Sequence, residues 1–214
     1  MTLSILQVDF PYAGPWQHAM TEHFSGLAST ISQEPGLHWK LWTENASTCE
    51  AGGVYLFGNR NDAIRYGHIH AERLSKAGIS GIEMYVFEVN EPLSVINSAP
   101  LHTRPFRTGA DKEDELYLIQ TNFSHQGPWG REMSAAYGPL AHDFSAEAGM
   151  LWKIWTENAE EQAAGGIFVF RDEANAGRFL QEHRVRLKRG GFRNASCKLY
   201  AINTRLSEIS LPPC

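Results

Sequence analysis

The chain has 214 residues, of which 43% are hydrophobic, and a formal net charge of -5 at pH 7. This length suits one large domain or two of roughly 100 residues, and the hydrophobic residues are spread too evenly for a membrane span. One short basic run, Arg184–Arg189, lies at a predicted helix end, so neither nucleic acid nor a membrane is expected as a partner. Cys49, Cys197 and Cys214 form no Cys-x-x-Cys pattern, which argues against a disulfide framework and a structural zinc site.

The first half of the chain predicts a strand, a helix, two strands, a helix and a strand. Residues Leu3–Phe10 are an apolar, β-like run without a basic leader or cleavage site, so we expect a first strand and a cytoplasmic protein. Gly14-Pro15-Trp16 opens a helix, with proline in the first turn, where its missing N–H costs nothing. The remaining elements are paired strands at Leu37–Asn45 and Gly53–Phe57, a helix over Asn59–Lys76 with Asn59 as its cap, and a strand at Ile82–Asn90.

The second half repeats the first at a constant spacing. Trp39–Asn45 returns as Trp152–Asn158, 113 residues later, and Ala51–Gly53 returns as Ala164–Gly166 at the same spacing. Each copy therefore has the order βαββαβ, which is the ferredoxin-like arrangement of the α+β class. Asp172 is predicted to cap the second helix of the second copy.

The repeat divides the chain into two modules and a linker. Residues 1–101 form the first module and residues 116–214 the second. The stretch between them, residues 102–115, is rich in charge and threonine, contains Pro105 and Gly109, and lacks apolar periodicity, which is typical of a linker.

The second strand of each module predicts how the modules pack. Trp39 and Leu41 alternate with Lys40 and Trp42, so burial is expected on both faces of this strand. Helices cover one face of a ferredoxin-like sheet, and the other copy would cover the second. We therefore predict an intramolecular pseudo-dimer, packed sheet to sheet as an α+β barrel, with further self-association of the fused chain left open.

Several strings resemble those of the YdhR-type family of monooxygenases, in the dimeric α+β barrel superfamily. The strings are Leu6–Phe10, Gly14-Pro15, Gly36–Asn45, Ala51–Phe57 and Asn90–Ser94. The resemblance spans nearly all of the first copy and most of the second. It implies a covalent form of a dimer that the family usually builds from single modules, and it implies a monooxygenase activity.

The sequence contains no motif for a common cofactor. Nucleotide-binding, flavin-binding and zinc-protease signatures are absent. With the resemblance, this favours an oxygenase that needs no cofactor and uses molecular oxygen as co-substrate on a small aromatic or polyketide-like compound. A base would deprotonate a phenol or hydroquinone, the anion would react with oxygen, and nearby donors would stabilise the developing oxyanion.

Histidine and arginine on the second helix of each copy are the predicted catalytic residues. His70 and His183 have apolar residues four positions away on either side, which turns the imidazole toward the sheet, and a pKa near neutrality would suit proton abstraction. The structural alternative is a buried histidine bonded to a backbone carbonyl. Arg73 and Arg186 lie one turn further on and could stabilise an anion, or could pair with Glu44 and its counterpart in the second copy.

Six further residues are candidate substrate contacts, each with a structural alternative. Trp42 and Trp155 could stack on an aromatic ligand or belong to the core. Asn45 and Asn158 end a strand, where asparagine commonly serves a turn. Asp9 and Asn122 occupy equivalent positions in the first strands, so two pockets could differ in one ionisable group, or both residues could bond to backbone.

Other functions remain open at this point. The pocket could carry or sense a hydrophobic metabolite, isomerise or cyclise a lactone or polyketide, or bind haem. His68 with His70, or His18 with His23, could ligate a metal, but neither spacing recurs in the second copy, so no metal site is predicted.

Overall fold

The computed structural model describes residues 2–106 and 115–213. Within them, the α+β class and the βαββαβ order of both copies are confirmed. Residues 107–114 of the predicted linker lie outside the described residues. The elements are β1 (Ser4–Pro11), α1 (Gln17–Ile31), β2 (Leu37–Asn45), β3 (Glu50–Phe57), α2 (Arg60–Lys76), β4 (Glu83–Val89), α3 (Glu91–Ile96), β5 (Tyr117–Ser124), α4 (Gly130–Ser145), β6 (Met150–Asn158), β7 (Ala163–Phe170), α5 (Glu173–Arg189), β8 (Arg193–Asn203) and α6 (Thr204–Ile209).

The chain packs into two compact units whose limits differ from those of the sequence repeat. The first unit contains β1 to α2, the start of β4 up to Val86, and the chain from Ala201 onward. The second contains Phe87–Leu101 and the elements from β5 to Tyr200. Each short helix therefore belongs to the unit that contains the other copy's sheet, because α3 packs on α4 and β6 and α6 packs on α1 and β2. The boundaries predicted at residues 101 and 116 follow the repeat and not these packing units.

Each unit has the same antiparallel strand order. In the first, β3 lies between β1 and β2, and the end of β8 continues the sheet beyond β2, with Trp42 opposite Asn203. In the second, β7 lies between β5 and β6, and the end of β4 pairs with β6. The β2–β3 pairing shifts register between Leu37 and Trp39. The β6–β7 pairing shifts at the equivalent point, between Met150 and Trp152.

The core of the first unit lies between one sheet face and helices α1 and α2. Leu6, Trp42 and Tyr55 on this face are buried in one apolar cluster with Met20 and Tyr66 of the helices. Along β2, Trp39 and Leu41 lie on the opposite face to Trp42, and they are also buried. The burial predicted for both faces of β2 is thus confirmed.

Helix termini test the capping predictions. Asn59 caps α2 by accepting the backbone N–H of Asp62 at 2.9 Å, and Asp172 caps α5 in the same way. The prediction of proline in the first turn of α1 was wrong, because α1 begins at Gln17 with Trp16 as its N-cap residue. The N–H of Gln17 is instead satisfied by the carboxylate of Glu44 on β2, at 2.7 Å.

The short helices α3 and α6 were not predicted. Asn90 and Asn203 cap them by accepting the backbone N–H of Leu93 and Leu206. Asn90 followed by Glu-Pro is a capping signal that the sequence did contain, since proline is favoured in the first helical turn.

Candidate active site

A cavity lies between the sheet and the helices of each unit, and the two cavities differ in size. The cavity of the first unit has a volume of about 370 Å³, within the range of roughly 300–1,000 Å³ that small-molecule sites occupy. That of the second unit has about 70 Å³. The first is lined by Phe10, Pro11, Tyr12, Ala13, Met20, His23, Phe24, Leu27, Lys40, Trp42, Gly52, His70, Arg73, Leu74, Ala77 and Ile79.

Four aromatic replacements distinguish the second cavity. Ile31 and Ile79 of the first copy correspond to Phe144 and Phe192, and both phenylalanine rings line the second cavity. Tyr55 and Tyr66 correspond to Phe168 and Phe179, so the second unit also lacks two buried hydroxyl groups. Phe144 and Phe192, which are larger than the isoleucines of the first copy, therefore fill space that the first unit leaves open.

Lys40 on β2 extends its side chain across the sheet face toward this cavity. Its residue is 1% exposed, and Nζ lies 3.1 Å from the centroid of the Trp42 ring and 4.7 Å from that of Tyr55. Burial lowers the pKa of Lys40 well below its usual value, and the nearby charge of Arg73 lowers it further. Both effects shift the protonation equilibrium of Lys40 toward the amine form.

The Ala-Gly-Gly motif makes room for this lysine. A Cβ at Gly53 would lie 2.8 Å from Cε of Lys40, and one at Gly52 would lie 1.9 Å from the carbonyl oxygen of Val8. In the second copy, a Cβ at Gly166 would lie 2.9 Å from Cε of Lys153. The two repeated motifs, Trp-Lys-x-Trp and Ala-Gly-Gly, thus fit one another across adjacent strands.

His70 faces the sheet from α2, as its spacing predicts. Its Nε2 lies 3.1 Å from the hydroxyl of Tyr55, and its ring stacks on that of Tyr66 with centroids 5.5 Å apart. Within the described residues, Nδ1 has no hydrogen-bond partner. Burial lowers the pKa of His70 to about 2, with Lys40 and Arg73 adding to the effect, so the value differs from the near-neutral one expected from sequence.

His183 occupies the equivalent position in the second unit but has different neighbours. Its ring stacks on Phe179, with centroids 5.1 Å apart, and its Nδ1 lies 3.4 Å from Nη1 of Arg186. Burial lowers the pKa of His183 to about 3. The atom that is unpartnered on His70 is therefore in contact with an arginine here.

Arg73 brings a positive charge to a cavity whose lining residues include no carboxylate. Its Nη1 has no hydrogen-bond partner among the described residues. The alternative pairing with Glu44 is absent, because that carboxylate accepts from Gln17 and, at 3.2 Å, from Asn203. In the second unit, the guanidinium of Arg186 packs against the Phe144 ring, with Cζ 5.1 Å from the ring centroid.

The predicted tryptophans line the cavities, but their indole N–H groups have partners at the C-terminal ends of the short helices. Trp42 donates to Oγ of Ser210 and Trp155 donates to Oδ1 of Asn97, each at 2.7 Å. A ligand would meet the ring of Trp42 and not its N–H group.

The other predicted substrate contacts lie elsewhere. Oδ1 of Asn45 accepts the backbone N–H of Ser47, and Oδ1 of Asn158 accepts that of Glu161, so both serve turns. Asp9 and Asn122 are not among the residues that line the two cavities.

The histidines considered as metal ligands do not converge. His68 is exposed whereas His70 is buried, and His18 and His23 are both exposed. In residues 2–106 and 115–213, no group of three His, Cys, Asp or Glu side chains could hold a metal ion.

Lys40, Lys153, Tyr55 and Tyr66 are the site residues that sequence reasoning missed. A signal for the lysines was available, because a lysine in the middle of a strand predicted to be buried on both faces recurs in both copies. Buried lysines are rare unless they are paired. The tyrosines carried no comparable signal.

Comparison with known protein families identifies the family of this chain. The family model described as "Putative mono-oxygenase ydhR" matches residues 5–100 and again residues 118–212. The chain belongs to this family and contains its module twice. No protein of curated function matches.

Solved structures with the same fold are similar over most of their length. An "anthrone oxidase-like protein" gives a TM-score of 0.58, with 94% of this chain and 91% of that chain covered. A "Putative monooxygenase" of Fusobacterium nucleatum gives 0.53 with the same coverage, and a "Putative Chlorite dismutase" gives 0.56 with 97% and 98% covered. All three are 10% identical to this chain, so the likeness concerns the fold alone.

The described helices were also tested for membrane spans. None of them combines the length and the hydrophobicity that crossing a bilayer requires.

Proposed function

We propose that the first unit's cavity oxidises a small aromatic or polyketide-like phenol with molecular oxygen and without a cofactor. The observation that carries the proposal is a pair of buried polar atoms, Nδ1 of His70 and Nη1 of Arg73, that have no partner among the described residues. Both side chains line an otherwise largely apolar cavity of about 370 Å³. Family membership supports a monooxygenase-like reaction.

His70 is the base in this reaction, in the tautomer that carries its proton on Nε2. If Nε2 carries the proton and donates to the Tyr55 hydroxyl, Nδ1 presents its lone pair and can accept a phenolic proton. The pKa of His70, about 2 without ligand, reflects burial beside Lys40 and Arg73. As the phenolic proton moves to Nδ1, the developing phenolate offsets the charge of Arg73 and stabilises the protonated imidazole, which assists the transfer.

Arg73 stabilises the phenolate and the oxyanion that follows. Its charge acts in a cavity lined without carboxylates, where electrostatic interactions are stronger than in water. In the proposed reaction one oxygen atom enters the substrate and the other leaves as water. The substrate supplies the two electrons and two hydrogen atoms for that water, so no external reductant is needed.

Oxygen uptake tests this proposal. Metal-stripped protein would be assayed with a panel of hydroquinones and anthrone-like phenols, in wild type and in His70→Ala, His183→Ala and the double variant. We expect His70→Ala to lower uptake by about a hundredfold or more, the usual contribution of a positioned base, and His183→Ala to leave it nearly unchanged. Binding without protein-dependent uptake would refute the oxygenase and favour a carrier or an isomerase.

A further inference from the structure

Lys40 and Lys153 differ from the exposed lysines of the chain. Both are almost fully buried, at 1% and 3% exposure, whereas Lys76 and Lys188 are exposed. Lys76 also pairs with Glu72 at 2.6 Å. Burying a lysine without a carboxylate is costly, and such lysines are found where an enzyme uses the neutral amine.

The surroundings of Lys40 favour a nucleophilic amine. Its Nζ lies among the rings of Trp42 and Tyr55, no Asp or Glu lines the cavity, and Arg73 opposes a second positive charge. Burial and the charge of Arg73 lower the pKa of Lys40 well below its usual value, which increases the fraction of the nucleophilic amine form. The same cavity has room for a ligand of one or two rings.

We propose that Lys40 forms a reversible imine with a small aromatic aldehyde or ketone bound in the first unit's cavity. Arg73 on the cavity wall favours carbonyl compounds that also carry a carboxylate or a phenolate. This inference goes beyond the oxygenase reaction, because imine formation needs no oxygen.

The step balances without an oxidant or a reductant. The nitrogen lone pair adds to the carbonyl carbon, and the carbonyl π electrons move to oxygen, which takes a proton from nitrogen to give a carbinolamine. The nitrogen lone pair then forms the C=N bond as the C–O bond breaks, and the departing hydroxyl takes a second proton and leaves as water. His70, on the wall of the same cavity, can transfer these protons through its unpartnered Nδ1.

Lys153 provides a matched control within the same chain. Its Nζ lies 3.0 Å from the Trp155 ring centroid, and burial lowers its pKa in the same way. Its cavity, however, has only about 70 Å³ because Phe144 and Phe192 occupy the space. The proposal therefore requires reaction at Lys40 and none at Lys153.

Reductive trapping tests the proposal. The full chain would be incubated at pH 7 with 4-carboxybenzaldehyde and sodium cyanoborohydride, which reduces an imine to a stable amine, and the adduct located by peptide mass spectrometry. We expect Lys40 to be labelled at least about tenfold more than Lys76 or Lys188, since each unit by which a pKa falls gives tenfold more free amine. Lys153 should be labelled far less than Lys40 because its cavity is too small for the aldehyde. Lys40→Met should lose this label and Lys153→Met should keep it.

Equal labelling of the exposed lysines, or an adduct that persists in Lys40→Met, would overturn the proposal. If circular dichroism shows that Lys40→Met is unfolded, Ile79→Phe takes its place, because it retains the lysine and fills the cavity as Phe192 does. Labelling of Lys40 at an unchanged rate in folded Ile79→Phe would also overturn it. The trapping experiment does not depend on oxygen uptake. Its result can therefore be interpreted even if the protein proves not to be an oxygenase.

Discussion

The two units contain the same lysine, histidine and arginine at equivalent positions, yet their cavities differ about fivefold in volume, 370 against 70 Å³. In the first, Nδ1 of His70 and Nη1 of Arg73 have no hydrogen-bond partner among the residues that the structure describes, whereas in the second the corresponding atoms lie 3.4 Å apart. Duplication thus preserved the buried charges while aromatic residues closed one cavity. Ionisable residues alone do not make a site, because a ligand also needs space beside them.

The largest expected effect comes from closing the first cavity as the second is closed. Ile31→Phe combined with Ile79→Phe should abolish binding of phenolic ligands, a loss of roughly a hundredfold or more, because the added rings occupy ligand space. Isothermal titration calorimetry would measure binding, with the unfolding midpoint as a check on folding. Ile79→Phe alone is the milder variant, since Ile31 is 1% exposed and Ile79 is only partly buried.

The opposite substitution, in the second unit, tests the same difference between the two cavities. Phe192→Ile should open the second cavity and leave binding to the first unit unaltered. Unchanged ligand affinity of the variant with both Ile31→Phe and Ile79→Phe would mean that the ligand binds outside the first cavity.

Acid should affect both units alike. The pKa values of His70 and His183 are about 2 and about 3, below the ordinary value of 6.5, so the unfolded chain binds protons that the folded chain does not. The stability that each contributes is fully present above pH 6.5 and is lost as the pH falls toward the folded-state value. The slope approaches about 1.4 kcal/mol per pH unit below the unfolded-state pKa, so each histidine should cost roughly 2 kcal/mol between pH 6.5 and 4.5.

Urea unfolding of wild type, His70→Phe and His183→Phe across this pH range measures that effect. As the pH falls, the unfolding free energy of each variant should decrease less steeply than that of wild type. The difference in slope should be similar for the two variants. A wild-type slope in His70→Phe would show that the imidazole is protonated in the folded state at mildly acidic pH.

The buried lysines should give a smaller effect in alkali. Burial lowers their pKa values well below 10.5, so their contribution to stability is present above that pH and lost as the pH falls. As the pH falls from 10 to 9, wild type should lose stability relative to Lys40→Met, and likewise relative to Lys153→Met. Denaturant titrations at both values test this, and equal stability changes in wild type and variants would show that the folded protein keeps the ammonium form.

The smallest expected effect comes from one hydroxyl group. Tyr55→Phe makes the first unit resemble the second and removes the contact with Nε2 of His70, at a cost of about 1 kcal/mol. Phe168→Tyr is the reciprocal variant and offers His183 a partner. Urea unfolding compares the two, and an unchanged stability of Tyr55→Phe would show that the hydroxyl bond makes no net contribution.

Much of the fold was predictable because its signals are local. The alternation along β2 and the caps at Asn59 and Asp172 depend on neighbouring residues. The inward direction of His70 follows from helical periodicity in the same way. The repeat is not local, but its constant spacing of 113 residues is visible in the sequence directly. The capping signal at Asn90 was present too, so α3 could have been found.

The site itself was predictable only in part. His70, Arg73 and Trp42 were identified, but the sequence did not indicate that Glu44 would leave Arg73 without a carboxylate. The short helices supply a second example, because Trp42 donates its indole N–H to Ser210, 168 positions away. Such pairings depend on how distant segments pack, which local patterns do not encode.

The sequence by itself determined a duplicated ferredoxin-like module with histidine and arginine on the inner face of its second helix. Only the tertiary structure decided that Lys40 is buried among aromatic rings, that α3 and α6 belong to the opposite packing units, and that the first cavity is open. The physical reason is that cavity volume and burial of a charge arise from many side chains meeting from separate elements. Two replacements of isoleucine by phenylalanine, one on α4 and one just before β8, are separated by 48 positions in the sequence, yet both rings fill the same pocket.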